Sequence, residues 1–543
     1  MLSKKFTLLI FISFISVNSF SQAKIATPSK PKLVVGLVID QMRWDFLYRF
    51  ANRYSEGGFK RLQKKGYSFE NTMIPYVPTV TAAGHTCIYT GSVPAIHGIV
   101  GNNWYDKQGK KDVYCTEDST VHGLGNNDKQ GEMSPRNLFS TSVTDELKLS
   151  NNFKSKVIGI ALKDRGAILP AGHTANAAYW YDDASGKWIS SSYYGTELPT
   201  WVTKFNAKDE VGNFMKQYWN TLYPINTYTQ STNDDSKSET DLAELKTHIF
   251  PYKLNEVTKK KYSVFKATPF ANTYTFDFAK DAIANENLGK NTVTDFLTVS
   301  ISSTDYIGHT FGPNSIEVED TYLRLDKDIA DFLQFLDAKV GVNNYTIFLT
   351  ADHGAAHALN FMKENKIPSE YFKPSKIETE LKKICIDSFG INPIIAEDNY
   401  QLYIDYNLAQ KNNIDETKLN KILIQYLKSK SFVQDAFELK NINASNIIEP
   451  IKTRCINGYN STRSGDIQFI IKPGFTTYEK GTGHSVWNPY DAHIPLLFYG
   501  WGIPTGKTNR EVYMTDIAPT IAALLQIQMP NGNVGKALVE IVK

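Results

Sequence analysis

Residues 33–40 read Leu-Val-Val-Gly-Leu-Val-Ile-Asp. Seven residues without a polar side chain, four of them β-branched, predict a strand buried on both faces, as in a parallel sheet covered by helices. Asp40 ends the run abruptly. The same form recurs down the chain. Residues 157–162 (VIGIAL) are followed by Lys163-Asp164-Arg165, residues 296–301 (FLTVSI) lead to Asp305 and His309, and residues 345–350 (YTIFLT) lead to Asp352-His353. Residues 494–499 (IPLLFY) read as another such strand.

Helical stretches separate these runs. The clearest spans about 315–339, where Tyr322, Leu325, Ile329, Phe332, Leu333 and Leu336 recur at helical spacing, and Asn314 and Glu317 are placed like a capping box. Strands alternating with helices predict an α/β fold: a doubly wound, mostly parallel sheet with helices on both faces. In such sheets ligands sit beyond the carboxyl ends of the strands. Four of the strand ends carry Asp, His, Lys or Arg. Two stretches interrupt the pattern and are expected to be inserted lobes, one at about 175–290 and one at about 363–480.

Bulk properties set the frame. A net charge of +3 over 543 residues, without a basic stripe, gives no sign of nucleic-acid binding. Lys4 and Lys5, the apolar run 6–17 and the small residues near Ser21 have the three parts of a secretory signal, expected over residues 1–21, with the mature chain covering 22–543. No later segment reads as membrane-spanning. The four cysteines, Cys87, Cys115, Cys385 and Cys455, form no CxxC pair. In an oxidising compartment one or two disulfides can form, with the pairing left open.

Asp40, Asp305, His309, Asp352, His353 and His484 form a mixed carboxylate and imidazole set that suits zinc. Six such residues can supply three ligands to each of two metals, and a metal pair stabilises both the attacking and the leaving oxygen of an in-line displacement. Taken singly each has a plainer role, because an aspartate after a strand is usually a cap or turn residue. His357, close to the Asp352 turn, is a candidate for supporting the ligands. In residues 77–86 (VPTVTAAGHT) an extended approach meets a helix start, so Thr79 or Thr81 is either an N-cap or a hydroxyl held where free backbone N–H groups favour anions. Lys163 and Arg165, two positions apart, can share a face and neutralise a phosphoryl group.

Residues 75–106 (PYVPTVTAAGHTCIYTGSVPAIHGIVGNNWYD) resemble the nucleophile region of the alkaline phosphatase superfamily, most nearly the PafA-like bacterial alkaline phosphatases and their nucleotide pyrophosphatase/phosphodiesterase relatives. The resemblance continues in family order through 34–46, 162–173, 303–315, 350–357, 480–502 and 514–525. It implies that Asp305, His309 and His484 hold one Zn2+, that Asp40, Asp352 and His353 hold the other beside the Thr81 oxygen, and that Thr81 is the nucleophile of a phosphothreonine intermediate. It further implies that Asn102 donates its amide to a phosphate oxygen. The Lys163/Arg165 pair implies a phosphomonoesterase of broad range rather than a diesterase. A periplasmic location, small-molecule phosphomonoester substrates and a monomer are expected. A phosphodiesterase or nucleotide pyrophosphatase on the same metal core is the competing expectation. A sulfatase is not, because no C/S-x-P-x-R motif surrounds Thr81. Manganese or cobalt can also occupy sites of this kind.

Overall fold

The computed structural model describes residues 30–542; the expected signal segment lies outside them. Eleven strands form the main sheet: β1 (Leu33–Ile39), β2 (Tyr67–Met73), β3 (Gly123–Leu124), β4 (Val157–Ala161), β5 (Ala177–Tyr181), β6 (Trp188–Ser191), β7 (Asp295–Ile301), β8 (Tyr345–Thr350), β9 (His493–Ile494), β10 (Leu496–Gly500) and β11 (Gly506–Tyr513). Their spatial order is β9-β2-β10-β8-β1-β7-β4-β5-β6-β3, with β11 paired to β2. The centre, β8-β1-β7-β4-β5, is parallel throughout. Every residue of β1, β7 and β8 is buried. Successive side chains of a strand point to opposite faces, so both faces of this centre are covered.

The run at 494–499 departs from the parallel reading. Pro495 has no N–H to give a ladder, so β9 and β10 are separate strands, and β10 runs antiparallel to β8. The Pro495 carbonyl accepts from the Thr350 hydroxyl instead, at 2.8 Å. The sheet is therefore parallel at its core, antiparallel towards the β3 edge, and mixed at the other edge, where β2 pairs antiparallel with β9 and β10 and parallel with β11.

Helix α1 (Thr81–Thr90) is wholly buried. It lies tight on the sheet because Gly36 has no Cβ; one built there would stand 2.2 Å from the Tyr89 hydroxyl and 2.7 Å from the Phe348 ring. Helix α2 (Asp164–Ala171) follows β4, α3 (Ser303–Phe311) follows β7, and α4 (Ile316–Leu336) leads towards β8. The cap of α4 is Ser315, whose hydroxyl accepts from the Val318 N–H, one position later than the expected box. Asn314 is engaged elsewhere, on His357, and Glu317 bonds Tyr252. Beyond Leu336 the chain continues as a π-helical turn, Asp337–Gly341.

Residues 177–181 and 188–191, read as part of an inserted stretch, are β5 and β6, so the chain leaves the sheet only after Ser191. Within 363–480, four antiparallel strands stand in the order Ile394–Asp398, Gln401–Ile404, Ile467–Ile471 and Val433–Glu438. They share an apolar cluster that includes Leu381, Leu402, Leu419, Leu423 and Phe469, apart from the main core. No disulfide is formed. Cys87, Cys115, Cys385 and Cys455 are free and buried, each in a different apolar cluster, so none can reach another.

Candidate metal and nucleophile site

Sheet register brings the site together. Ile39 of β1 pairs with Ile301 of β7, and Val38 pairs with Thr350 of β8. The residues that follow these strands, Asp40, then Asp305 in the first turn of α3, then Asp352 and His353, must emerge at one end of the sheet. Helical spacing sets His309 one turn after Asp305, with Nε2 3.1 Å from the Asp305 Oδ1. His484 arrives from a segment more than a hundred residues later. Its Nε2 is 3.8 Å from the same oxygen.

The three imidazoles share one arrangement. Nδ1 of His309 donates to the Thr482 carbonyl (2.8 Å), Nδ1 of His353 to the Gly354 carbonyl (3.0 Å) and Nδ1 of His484 to the Thr79 carbonyl (2.7 Å). A carbonyl only accepts, so in each neutral ring the proton sits on Nδ1 and the lone pair on Nε2, facing the carboxylates. His353 Nε2 lies 3.6 Å from Asp40 Oδ1 and 3.5 Å from Asp352 Oδ2, and the His353 and His484 rings stack at 3.6 Å.

Ligand atoms of Asp305, His309 and His484 all lie within 4.8 Å of one another, and so do those of Asp40, Asp305 and His353. The second group differs from the expected trio, with Asp305 in place of Asp352. Lys163 explains the difference. Its buried ammonium bonds Asp40 Oδ2 (2.7 Å) and Asp305 Oδ2 (2.6 Å), drawing those two carboxylates together. Asp352 instead turns Oδ1 to the Gln41 N–H (3.2 Å) and to its neighbour's N–H (3.0 Å).

Burial, then the Asp352 charge, push the Asp40 carboxyl well above its ordinary range. Burial acts the same way on Asp305, but the His309 and Lys163 charges outweigh it and hold Asp305 well below. Lys163 is disfavoured by burial, yet Asp305 and Asp40 keep its pKa above that of a free lysine. Burial and the neighbouring imidazoles drive His484 well below the usual histidine range. Asp40 Oδ1 and Asp352 Oδ2 are buried with no donor from the protein. Orphaned carboxylate oxygens opposite inward-facing Nε2 lone pairs fit divalent cations, and the donor chemistry suits zinc.

Thr81 is the first residue of α1, after Val80 in the cap position; neither Thr79 nor Thr81 caps the helix. The Thr79 hydroxyl is occupied by the loop before β9, donating to the Val486 carbonyl (3.0 Å) and accepting from the Ser485 N–H (3.2 Å). The Thr81 hydroxyl faces the cluster, 3.5 Å from His353 Nε2 and 3.4 Å from Lys163 Nζ. Gly84 lets this helix approach, since a Cβ there would be 2.5 Å from the Asp352 carbonyl oxygen. Asn102 Oδ1 accepts from the Ala82 N–H (3.0 Å), which fixes it beside the first turn of α1.

Lys163 and Arg165 lie beyond the end of β4, so strand alternation does not govern them. Arg165 is in the first turn of α2, and its Nη1 donates to the Tyr114 hydroxyl (3.0 Å). The pair meets by lining one cavity of about 280 Å3, with Tyr114, Tyr306 and Lys266. His357 does not reach the ligands; it bonds Asn314 (2.7 Å) and approaches Arg43 (3.5 Å).

Two supporting residues escape sequence reading. Gln41 Nε2 donates to Asp305 Oδ1 (2.6 Å) from a backbone with φ of 63°. His85, read as structural, links Thr81 and Asp352. Its Nδ1 donates to the Thr81 carbonyl (2.9 Å) and lies 3.3 Å from Asp352 Oδ2, while its Nε2 meets the Ser300 hydroxyl (2.8 Å). The available signal was its spacing, one helical turn after Thr81.

Residues 34–493 match the family model described as type I phosphodiesterase / nucleotide pyrophosphatase. The chain is 52% identical over 518 residues to alkaline phosphatase PhoV of Synechococcus elongatus, covering 95% of this chain and 94% of that one. It is 52% identical over 518 residues to alkaline phosphatase PafA of Elizabethkingia meningoseptica, covering 94% of this chain and 95% of the relative. A crystal structure of wild-type PafA aligns with a TM-score of 0.93 at 51% identity, over 95% of this chain and all of that one.

Proposed function

This chain belongs to the type I phosphodiesterase / nucleotide pyrophosphatase family, among its alkaline phosphatases, and from that premise we propose a zinc-dependent phosphomonoester hydrolase acting through a phosphothreonine at Thr81. The observation that carries the reading is the convergence of three Nε2 lone pairs and three carboxylates beside the Thr81 hydroxyl. Asp305, His309 and His484 would hold one zinc ion and Asp40, Asp352 and His353 the other. Such a pair supplies Lewis-acid stabilisation of the attacking and leaving oxygens and lowers the pKa of a hydroxyl.

The residues of the chain account for the rest. Lys163, Arg165 and the Asn102 amide bind the nonbridging phosphoryl oxygens and orient phosphorus towards Thr81. Thr81 Oγ1 gives up its proton and forms a bond to phosphorus. The ester P–O bond breaks, and the leaving alkoxide takes a proton. Water then attacks the phosphothreonine, restoring the Thr81 hydroxyl and releasing inorganic phosphate. His85 holds the Thr81 carbonyl and Asp352 in fixed relation through this sequence.

Two cations on one phosphoryl group match the dianionic charge of a monoester near neutral pH. That supports a monoesterase of broad range over a diesterase on the same core. The proposed setting is the periplasm, reached by the signal at 1–21, with the mature chain from 22 onwards a monomer. Among the described residues, no helix is long and apolar enough to cross a membrane.

The test is to quench turnover of an aryl phosphate in acid and map phosphorylated peptides by mass spectrometry, alongside zinc analysis. Phosphate on Thr81 is expected, with its loss in Thr81→Ala. Full monoester turnover by Thr81→Ala, or by the zinc-free protein, would overturn the proposal. A ratio of aryl monoester to aryl diester hydrolysis below one would favour the diesterase.

A further inference from the structure

Helix α4 carries three buried acids in its first two turns: Glu317, Glu319 and Asp320. Two are answered in full, mostly by the segment 219–240 that crosses them. Asp320 Oδ1 accepts from the Leu222 N–H and the Tyr228 hydroxyl, both at 2.6 Å, and Oδ2 accepts from Trp219 Nε1 (2.9 Å) and Arg324 Nε (2.7 Å). Glu319 accepts from Arg53 Nη1 and the Ser231 hydroxyl, both at 2.7 Å.

Glu317 is different. Oε1 accepts from the Tyr252 hydroxyl (2.6 Å), but Oε2 is buried without a donor. Glu239, with 0% exposure, lies on the crossing segment, which runs against the approach to α4 through the Thr232 N–H on the Asn314 carbonyl and the Thr240 N–H on the Thr310 carbonyl (both 2.8 Å), and neither of its carboxylate oxygens meets a donor from the protein. Among the described residues, neither glutamate forms an ion pair with Lys, Arg or His. Burial, then the Glu317 charge and those of Asp234 and Asp235, push Glu239 up to about 10.

Buried carboxylates without counter-charge are costly, so something must answer them. Water would satisfy the oxygens and leave the charge. One shared proton would leave an oxygen of Glu239 without a donor. A cation answers all three oxygens and the charge together. The donors are exclusively oxygen, two carboxylates with the Tyr252 hydroxyl alongside, which suits calcium rather than zinc.

We propose that Glu239 and Glu317 form a calcium site separate from the Asp40–Asp305 cluster. The ion fastens the segment around Glu239 to α4. That segment is tied to the metal cluster's supports, since the Thr240 N–H donates to the Thr310 carbonyl (2.8 Å) and the Gly481 N–H to the Ser238 carbonyl (2.7 Å). Thr482, next to Gly481, holds His309. Calcium therefore braces the histidine loop from behind, whatever reaction the cluster performs.

The experiment uses zinc-saturated enzyme exchanged into calcium-free buffer and then titrated with CaCl2. Elemental analysis should find one bound calcium per chain, and the thermal midpoint should rise by several degrees. Glu239→Gln and Glu317→Gln should each lose the calcium and the rise while retaining zinc. Sensitised Tb3+ luminescence, excited through Tyr252 and displaced by calcium, reads the site in the unmutated protein. No bound calcium and no Tb3+ signal in the wild type overturns the proposal. So does an unchanged calcium response in the variants, or a Glu239→Gln variant that is more stable than a calcium-indifferent wild type, which is the mark of a shared proton.

Discussion

Asp320 and Asp40 are equally buried, both at 0% exposure, yet they serve opposite ends. Asp320 has four donors around two oxygens, from a backbone N–H, an indole, a phenol and a guanidinium. Asp40 has a lysine on Oδ2 and no donor on Oδ1, and Asp352 beside it also leaves an oxygen unanswered. A carboxylate whose every lone pair is matched holds the fold together. One left unmatched at the end of a parallel sheet is kept for something the protein must bind.

The largest effect expected to separate the two regions is on turnover. Thr81→Ala should lower kcat on aryl phosphates by a factor on the order of 10^4 or more, while Asp320→Ala should leave kcat per folded molecule within about threefold, since it touches no reacting group. Steady-state kinetics corrected for active protein reads both, and comparable losses would erase the distinction.

Lys163→Ala with Arg165→Ala tests the boundary of the catalytic region. Monoester kcat/KM should fall by about 10^2–10^3 and diester kcat/KM by much less. Equal losses would recast the pair as structural, like Arg324 on Asp320.

Stability should sort in the opposite direction. Asp320→Ala strands four donors, two of them fully buried, and should cost about 3–5 kcal/mol in denaturant unfolding. Asp40→Asn in metal-free protein should cost nothing or stabilise, because it removes one of three crowded carboxylates. A large loss from Asp40→Asn would sink the comparison.

Near neutral pH the smallest effect concerns His97, a buried histidine outside the cluster. Its Nδ1 accepts from the Ile99 N–H (3.1 Å), and burial followed by the Arg463 charge lowers its pKa to about 3. The folded pKa lies below that of the unfolded chain, about 6.5, so the unfolded state takes the proton first. The contribution of His97 is intact above pH 6.5 and is lost as pH falls towards 3, by up to about 1.4 kcal/mol per unit. His97→Gln should flatten that part of the acid limb.

The α/β architecture was legible at the strand ends because continuous apolar runs stop on Asp40 and Lys163 or within a few residues of Asp305 and Asp352. Pairing was not legible. Whether residues 496–500 run parallel or antiparallel depends on which partner they meet, and the only local hint was Pro495. The supports of the site were hidden for a related reason. Gln41 reaches Asp305 only because its backbone turns to positive φ, and His85 matters through a carbonyl and a carboxylate, not through any motif. Glu239 looked like one acid in a polar stretch, since its burial depends on a crossing over α4 that no periodicity marks.

The placement of β2 has a consequence for how the molecule comes into being. Among the described residues its neighbours in the sheet are β9, β10 and β11, all from residues 493–513, although β2 itself spans 67–73. During synthesis this segment must wait for more than four hundred residues before a partner exists. The long delay sets a late, non-local closure as the step that completes the sheet. His484 arrives with the same late stretch, so the nascent polypeptide has no complete cluster until residue 484 has been made.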